Sequence, residues 1–160
     1  MARISELPLW LRAFLRAYPW RRVDPVPGVA LRKSLSQTRV ALVTTAGLVP
    51  PGDVPFDEKV KGGDYSYRVI PASMDVRDLV EHHRSESFDH AGILEDANLG
   101  FPLDRLRELA AFGEIGQVAP RHLSFMGSIT APGRLVSRTA PEAARILVED
   151  QVDLALLVPV

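Results

Sequence analysis

The sequence predicts an α/β fold, an open and mostly parallel sheet flanked by helices, with an N-terminal amphipathic helix and strap. Two runs predict the sheet. Residues 39–47, RVALVTTAG, and 153–160, DLALLVPV, are apolar without alternation, the pattern of strands buried on both faces of a parallel sheet. The third observation is order. Strand, loop, strand, helix, helix and strand follow one another along 39–160, which favours one sheet with right-handed crossovers. A chain of 160 residues suits one core, and 46% hydrophobic with 24% charged residues is ordinary for a globular protein.

Residues 1–38 read as an amphipathic helix and a basic, Pro-containing strap. Leu7, Trp10, Leu11, Phe14 and Tyr18 share one helical face, and the helix ends before Pro19. That apolar face must pack somewhere. The segment 20–36 is rich in Arg and Pro and reads as irregular. Residues 39–160 form the α/β domain, with 39–47 as its central strand. The following 49–64, VPPGDVPFDEKVKGGD, has the Pro and Gly content of a long loop, and long loops inside compact domains are often functional. Residues 67–71 give a shorter strand and 75–82 a short helix. The stretch 102–112, PLDRLRELAAF, is a clear helix, with Pro102 at its start and Gly113 just past its end. Thr139 and Glu142 stand at capping-box spacing around Pro141, so a last helix runs to about Asp150 and delivers the chain into 153–160.

Open α/β sheets gather their chemistry beyond the carboxyl ends of the strands. Thr44, Thr45 and Gly47 lie at one such end and Val160 at another. The two hydroxyls suit a substrate carboxylate, and equally a structural strand-end turn; Gly47 permits close backbone approach. The chain has no cysteine, which excludes a disulfide, a thiolate metal site and a cysteine nucleophile among its own residues. Four histidines without a clear ligand spacing predict no metal site. Arg12 and Arg16 interrupt the N-terminal apolar stretches, so neither a signal peptide nor a spanning helix can be drawn, and a soluble, cytoplasmic protein is expected.

Charge is unevenly placed: residues 1–39 carry net +6 and residues 40–160 net −7. The arginines at 3, 12, 16, 21 and 22, interleaved with Trp10, Tyr18 and Trp20, are one pattern of a nucleic-acid-binding module, but a solvated helix face explains them as well and the acidic remainder argues against a broad binding face. No nucleic-acid partner is expected.

The stretches RVALVTTAGLVPPGDVPFD, GDYSYRVIP, FPLDRLREL, GEIG and APRHLSFMG, in this order, resemble the selenoprotein B subunits of the glycine, sarcosine, betaine and D-proline reductase family. The resemblance implies an oxidoreductase that reductively cleaves a carbon–nitrogen bond of a small amine or amino-acid-like substrate. It further implies a pyruvoyl group on a partner subunit, a thiol electron donor with a disulfide acceptor, and an oligomeric assembly. In that family a strand ending in a Pro-Val pair is followed at once by selenocysteine or cysteine, so the nucleophile is expected immediately after Val160. The chain as it stands is then a truncated, inactive part of the subunit, with no cofactor of its own. A strand end before a helix also suits a selenolate or thiolate, because amide dipoles there stabilise the anion. A non-catalytic structural or binding subunit is the alternative.

The same resemblance singles out further residues. Asp89 and His90 match an acidic-and-histidine pair suited to acid–base work, the Asp orienting the His; a surface turn is the plainer reading. Relatives carry a histidine-rich run where this chain has Ser85-Glu86-Ser87-Phe88, and His82 and His83 upstream are not assumed to replace it. Arg121 suits a substrate carboxylate and His122 titrates near neutral pH, although an ion pair pinning the loop accounts for them too. Gly127 lets the backbone turn. If this reading is right, Thr45, Arg121 and His122 converge on the carboxyl end of the strand that finishes at Val160.

Overall fold

Strand β1, Arg39–Thr44, is the centre of a five-stranded mixed sheet in this computed structural model. The structure describes residues 6–18, 22–86 and 88–160; Arg3, Pro19, Trp20, Arg21 and Ser87, which enter the sequence reading, lie outside the described residues. The chain divides into two compact units, Met1–Ala30 and Leu31–Val160. In the first, helix α1 is Leu9–Ala17, and Leu9, Trp10 and Phe14 stand more than half exposed on it. Of the face read from the sequence, Leu7 and Leu11 are half-buried. No described helix is long and apolar enough to cross a membrane.

The second unit holds the other elements. They are β2 (Leu48–Val49), β3 (Tyr67–Pro71), β4 (Val80–Glu81), α2 (His90–Glu95), α3 (Leu103–Ala111), β5 (Gln117–Val118), β6 (Arg121–Phe125), α4 (Ala140–Glu149) and β7 (Leu154–Val158). β7 pairs with β1 in parallel from Val40↔Leu154 to Thr44↔Val158. On the other side β1 pairs in parallel with β5 and β6, and β6 pairs antiparallel with β3. The predicted architecture is the one observed, with one antiparallel edge strand; β2 and β4 form a separate small ribbon.

Burial explains the layering. Val40, Leu42, Ile70, Phe101, Leu103 and Leu106 form the larger core on one side, where α3 lays down its Leu103 and Leu106 face. Leu123, Phe125 and Ala143 form the core under α4, with Val43, Val69 and Ile146 against them. Each of the largest side chains in these layers removes about 1.5–3 kcal/mol worth of apolar surface from water.

Three local expectations fail for physical reasons. The stretch APRHLSFMG is not a loop, because RHLSF within it is β6, four of whose five residues are buried. Residues 75–82 make only one tight turn, Val76–Asp78, capped by the Asp75 carboxylate accepting from the Arg77 amide, before entering β4. Thr139 does not cap α4: a wide π-type turn, Leu135–Thr139, runs into it, and the Thr139 hydroxyl donates instead to the Tyr65 carbonyl at 2.6 Å. The predicted long loop is pinned. Arg68 donates to the carbonyls of Val54 and Pro55 and stacks over Phe56, which packs on Val49 and Met126.

Candidate functional site

The carboxyl ends of β1, β6 and β7 are stitched to each other by the residues that end them. The Thr45 amide donates to the Val158 carbonyl at 3.2 Å, and the Val160 amide donates to Thr45 Oγ1 at 3.0 Å. The Gly47 amide donates to the Phe125 carbonyl and the Gly47 carbonyl accepts from the His82 amide, both at 2.9 Å. At φ +67° a side chain on Gly47 would be strained, and its Cβ would fall 2.8 Å from the His83 nitrogen. Close approach is thus what Gly47 provides, and the group that approaches is the backbone of 82–83.

Thr44 is placed at this edge but its hydroxyl is consumed. It is fully buried, donates to the Gly100 carbonyl at 2.6 Å and accepts from the Ala46 amide at 3.0 Å. Such a group holds the turn and has no capacity left to present a donor to a carboxylate. Gly127, at φ +70°, closes the same edge: a Cβ there would lie 2.4 Å from the Thr45 carbonyl and 2.7 Å from His83 Nε2.

Beside these residues lies a mostly apolar hollow of about 480 Å³, walled by His83, Phe88, Asp89, Ile93, Leu99 and Val160 together with Ser85. Asp89 caps α2, its Oδ1 accepting from the Gly92 amide at 3.0 Å. It does not orient His90, as the sequence suggested. His90 Nδ1 instead meets Glu81 Oε2 at 2.7 Å and its Nε2 meets the Ser85 carbonyl at 3.0 Å, so its pKa is raised, first by the Glu81 hydrogen bond.

His83 is the residue that sequence reasoning missed. It is 6% exposed, its ring stacks on Phe88 with centroids 4.3 Å apart, and its Nδ1 accepts from the Ser85 amide at 3.2 Å. Its main-chain amide is held by the Glu81 carboxylate. Burial lowers its pKa, partly offset by Glu81, and with Nδ1 accepting from Ser85 the neutral ring carries its hydrogen on Nε2. That Nε2 has no hydrogen-bond partner among the described residues. The adjacent histidines 82 and 83 were the available signal.

Arg121 and His122 do not join this group. β6 runs parallel to β1, so Arg121 stands at the amino-terminal edge of the sheet, the opposite end from Thr45. Its guanidinium is bound to Asp150 at 2.7 and 2.8 Å and to Glu149 at 3.2 Å, at the end of α4. His122 is wholly buried, edge-on to Phe101, with its pKa lowered to about 4 by burial and by Arg107. Its Nδ1 accepts from the Leu42 amide at 2.9 Å. The need for that bond is visible in the registers Arg39↔Gln117 and Val43↔Leu123: two extra residues at Ala119-Pro120 interrupt the ladder, and the imidazole replaces the missing carbonyl. The expected convergence of Thr45, Arg121 and His122 is therefore overturned. Arg121 and the Nδ1 of His122 belong to the fold's own bonding, while His122 Nε2 is buried without a hydrogen-bond partner among the described residues.

The family model described as glycine/sarcosine/betaine reductase selenoprotein B matches residues 9–159. Among curated proteins, the D-proline reductase subunit gamma of Acetoanaerobium sticklandii is 38% identical over 78% of this chain and 50% of its own length. The sarcosine reductase complex component B subunit beta of Peptoclostridium acidaminophilum is 31% identical over 90% of this chain and 33% of its own. The glycine reductase complex component B subunit gamma of the same organism is 30% identical over 88% and 32%. The chain thus spans about a quarter to a half of the length of the curated relatives it matches. No solved structure matches it.

Proposed function

Because the chain belongs to the glycine/sarcosine/betaine reductase selenoprotein B family, we propose that it forms the substrate-side scaffold of an amino-acid-type reductase, with the hollow beside Val160 as its reaction pocket. The observation that carries this reading is the position of the hollow. It opens at the carboxyl ends of the parallel strands, where such sheets place their ligands, and β7 delivers Val160 to its wall.

Selenocysteine or cysteine after Val160 would supply the redox chemistry, working with a pyruvoyl group on a partner subunit and a thiol donor. What the chain's own residues do is hold and shape. Thr45 clamps the end of β7 through the Val160 amide, fixing where the polypeptide leaves the sheet. Phe88, Ile93 and Leu99 exclude water from the hydrocarbon part of a small amine substrate. Asp89 places a carboxylate on the wall, suited to an ammonium group. The apolar lining favours a substrate with a ring or alkyl body, such as D-proline, over bare glycine, in line with the name of the 38%-identical relative.

Leu99 is exposed at the rim, so Leu99→Trp fills the pocket without disturbing the core. In the assembled reductase this variant is expected to lose turnover at least about a hundredfold while melting as the parent does. Unchanged turnover would remove the pocket from the reaction. Sequencing the gene beyond Val160 tests the other half: an in-frame selenocysteine or cysteine codon is expected, and its absence overturns the placement of the nucleophile.

A further inference from the structure

We infer that β7 is a self-association surface: a second copy of this chain pairs its own β7 antiparallel along the open side of the strand, about a two-fold axis at Leu156. The association is independent of what the hollow at the carboxyl edge binds.

β7 bonds to β1 on one side only, so its other side is an edge of the sheet. Paired strand residues share a face. Leu154 and Leu156, opposite Val40 and Leu42, therefore lie on the face of the larger core, and Leu157, opposite Val43, lies on the face of α4. All three are exposed, Leu157 by 67%. Among the described residues the sheet's other free edges are guarded. β3 carries Arg68, tied to the carbonyls of Val54 and Pro55, and ends on Pro71, while β5 is only two residues long. From Leu154 to Val160 there is no charged side chain. An apolar edge without such guards is a template for another strand.

The pattern of the edge selects the occupant. Alternate residues of a strand direct their backbone groups to opposite sides, and the Val158 carbonyl accepts from the Thr45 amide on the β1 side. Ala155 and Leu157 thus turn their amides and carbonyls to the open side. Beyond them the Asp153 amide is already given to the Arg39 carbonyl at 3.0 Å, and Pro159 has no N–H. One antiparallel register uses the open groups of both copies in full: Ala155 opposite Leu157, Leu157 opposite Ala155, and Leu156 facing its own counterpart. In that register a small side chain meets a large one on the α4 face, and Leu154 meets Val158 on the other. Asp153 meets Pro159, so no like charges face each other. Such a contact is isologous and closes at two copies instead of propagating.

The test is sedimentation velocity of the full chain over a concentration series, with the parent, Leu157→Lys, Leu156→Cys and Leu154→Cys. The parent is expected to sediment at twice the mass of one chain. Leu157→Lys, at an exposed position, buries a charge on each side of the axis; it is expected to weaken association at least about a hundredfold with an unchanged melting temperature. Because the chain has no cysteine of its own, single cysteines read the register under mild oxidation. Leu156 faces its counterpart at about 4.5 Å between α-carbons, within disulfide reach, whereas the two Leu154 positions stand roughly 14 Å apart. Leu156→Cys is therefore expected to cross-link at least about tenfold faster than Leu154→Cys. A monomeric parent overturns the proposal and leaves the edge to a strand of another polypeptide. A dimer that survives Leu157→Lys overturns it too, by placing the contact elsewhere, and equal cross-linking of the two cysteine variants overturns the pairing about Leu156. If Leu157→Lys does not fold, the cross-linking rates decide alone.

Discussion

The two edges of the sheet share their strands but treat polar groups in opposite ways. At the amino edge, Arg121 is taken by Asp150 and Glu149, Lys33 by Asp153 at 2.8 Å, and Arg39 by Gln117 and the Asp150 carbonyl. A polar hollow of about 590 Å³ lies there, larger than the one at the carboxyl edge, yet its charged side chains are already paired. At the carboxyl edge a buried imidazole keeps an unpartnered nitrogen beside an apolar hollow. An unpartnered atom does not by itself single out that edge, because His122 Nε2 and Ser124 Oγ on β6 are also buried without a hydrogen-bond partner among the described residues.

The sharpest way to break the comparison is to strip the amino-proximal polar groups and ask whether function follows. His122→Ala leaves a cavity and an unpartnered Leu42 amide in the core, so it is expected to cost about 2–4 kcal/mol in chemical denaturation. Turnover per folded molecule should be unchanged. His122 also sets an acid limit. The unfolded histidine takes its proton near pH 6.5 and the folded one only near pH 4, so between these values the unfolded state binds more protons. Stability contributed by neutral His122 is complete above pH 6.5 and falls as pH drops through 4, by on the order of 3 kcal/mol. A parent and a His122→Asn variant with the same slope between pH 6.5 and 4 would show that another group is responsible.

At the carboxyl edge the balance reverses. Gly127→Ala places a side chain at φ +70°, at a cost of about 1–2 kcal/mol, and crowds the Thr45 carbonyl and His83. Its expected loss of turnover in the assembled reductase is at least tenfold, larger than that stability change explains by unfolding. Parallel losses of stability and turnover in Gly127→Ala and His122→Ala would erase the distinction between the edges.

How much of this was legible depends on how local each signal is. β1 announces itself because a strand buried on both faces shows as an unbroken apolar run; β7 carries the same run and is a strand, but as an edge strand paired only with β1 it leaves Leu154, Leu156 and Leu157 exposed, so the expectation that it is buried on both faces fails. β6 hides behind Pro120 and opens on Arg121 and His122, residues that look like chemistry. Arg121 is taken up by Asp150, and the Nδ1 of His122 by a gap in the ladder created by the two residues between β5 and β6, a need that exists only once β1 lies alongside. Thr45 could be placed at its strand end, and Gly127 in a turn, from the sequence alone. The surroundings of His83 could not, because Phe88, Ser85 and Gly127 meet at its ring and no spacing in the sequence brings them there. Asp89 was paired with His90 by adjacency, while the fold gives His90 to Glu81.

Arg121→Gln sharpens the contrast with a small effect. Its partners are an exposed Glu149 and a largely covered Asp150, and a half-exposed guanidinium of this kind contributes little net. The melting temperature is expected to fall by at most about 3 °C, less at high salt, with KM for substrate unchanged. A rise in KM of tenfold would return Arg121 to the site and overturn its placement as a structural residue.

The smallest expected effect tests whether the pocket wall itself responds to pH. His90 bridges Glu81 and the Ser85 carbonyl, and only the imidazolium donates from both nitrogens at once. Around it stand Glu81 and Asp89, which favour the charged form, and His83, whose ring lies 6.4 Å away. Because the folded pKa is raised above 6.5, the clamp is fully present below that value and is lost as pH rises through the raised one. The segment it ties down carries the Ser85 amide that fixes His83, so loosening it should show first in local opening there. Hydrogen-exchange protection of the Ser85 and His83 amides, corrected for intrinsic rates, is expected to drop about threefold between pH 6 and pH 8.5 in the parent. In His90→Gln, which offers an amide donor but does not titrate, protection should be the same at both pH values. A parent whose protection is flat across this range would show that His90 does not clamp the wall, and would leave the tautomer of His83 to Ser85 alone.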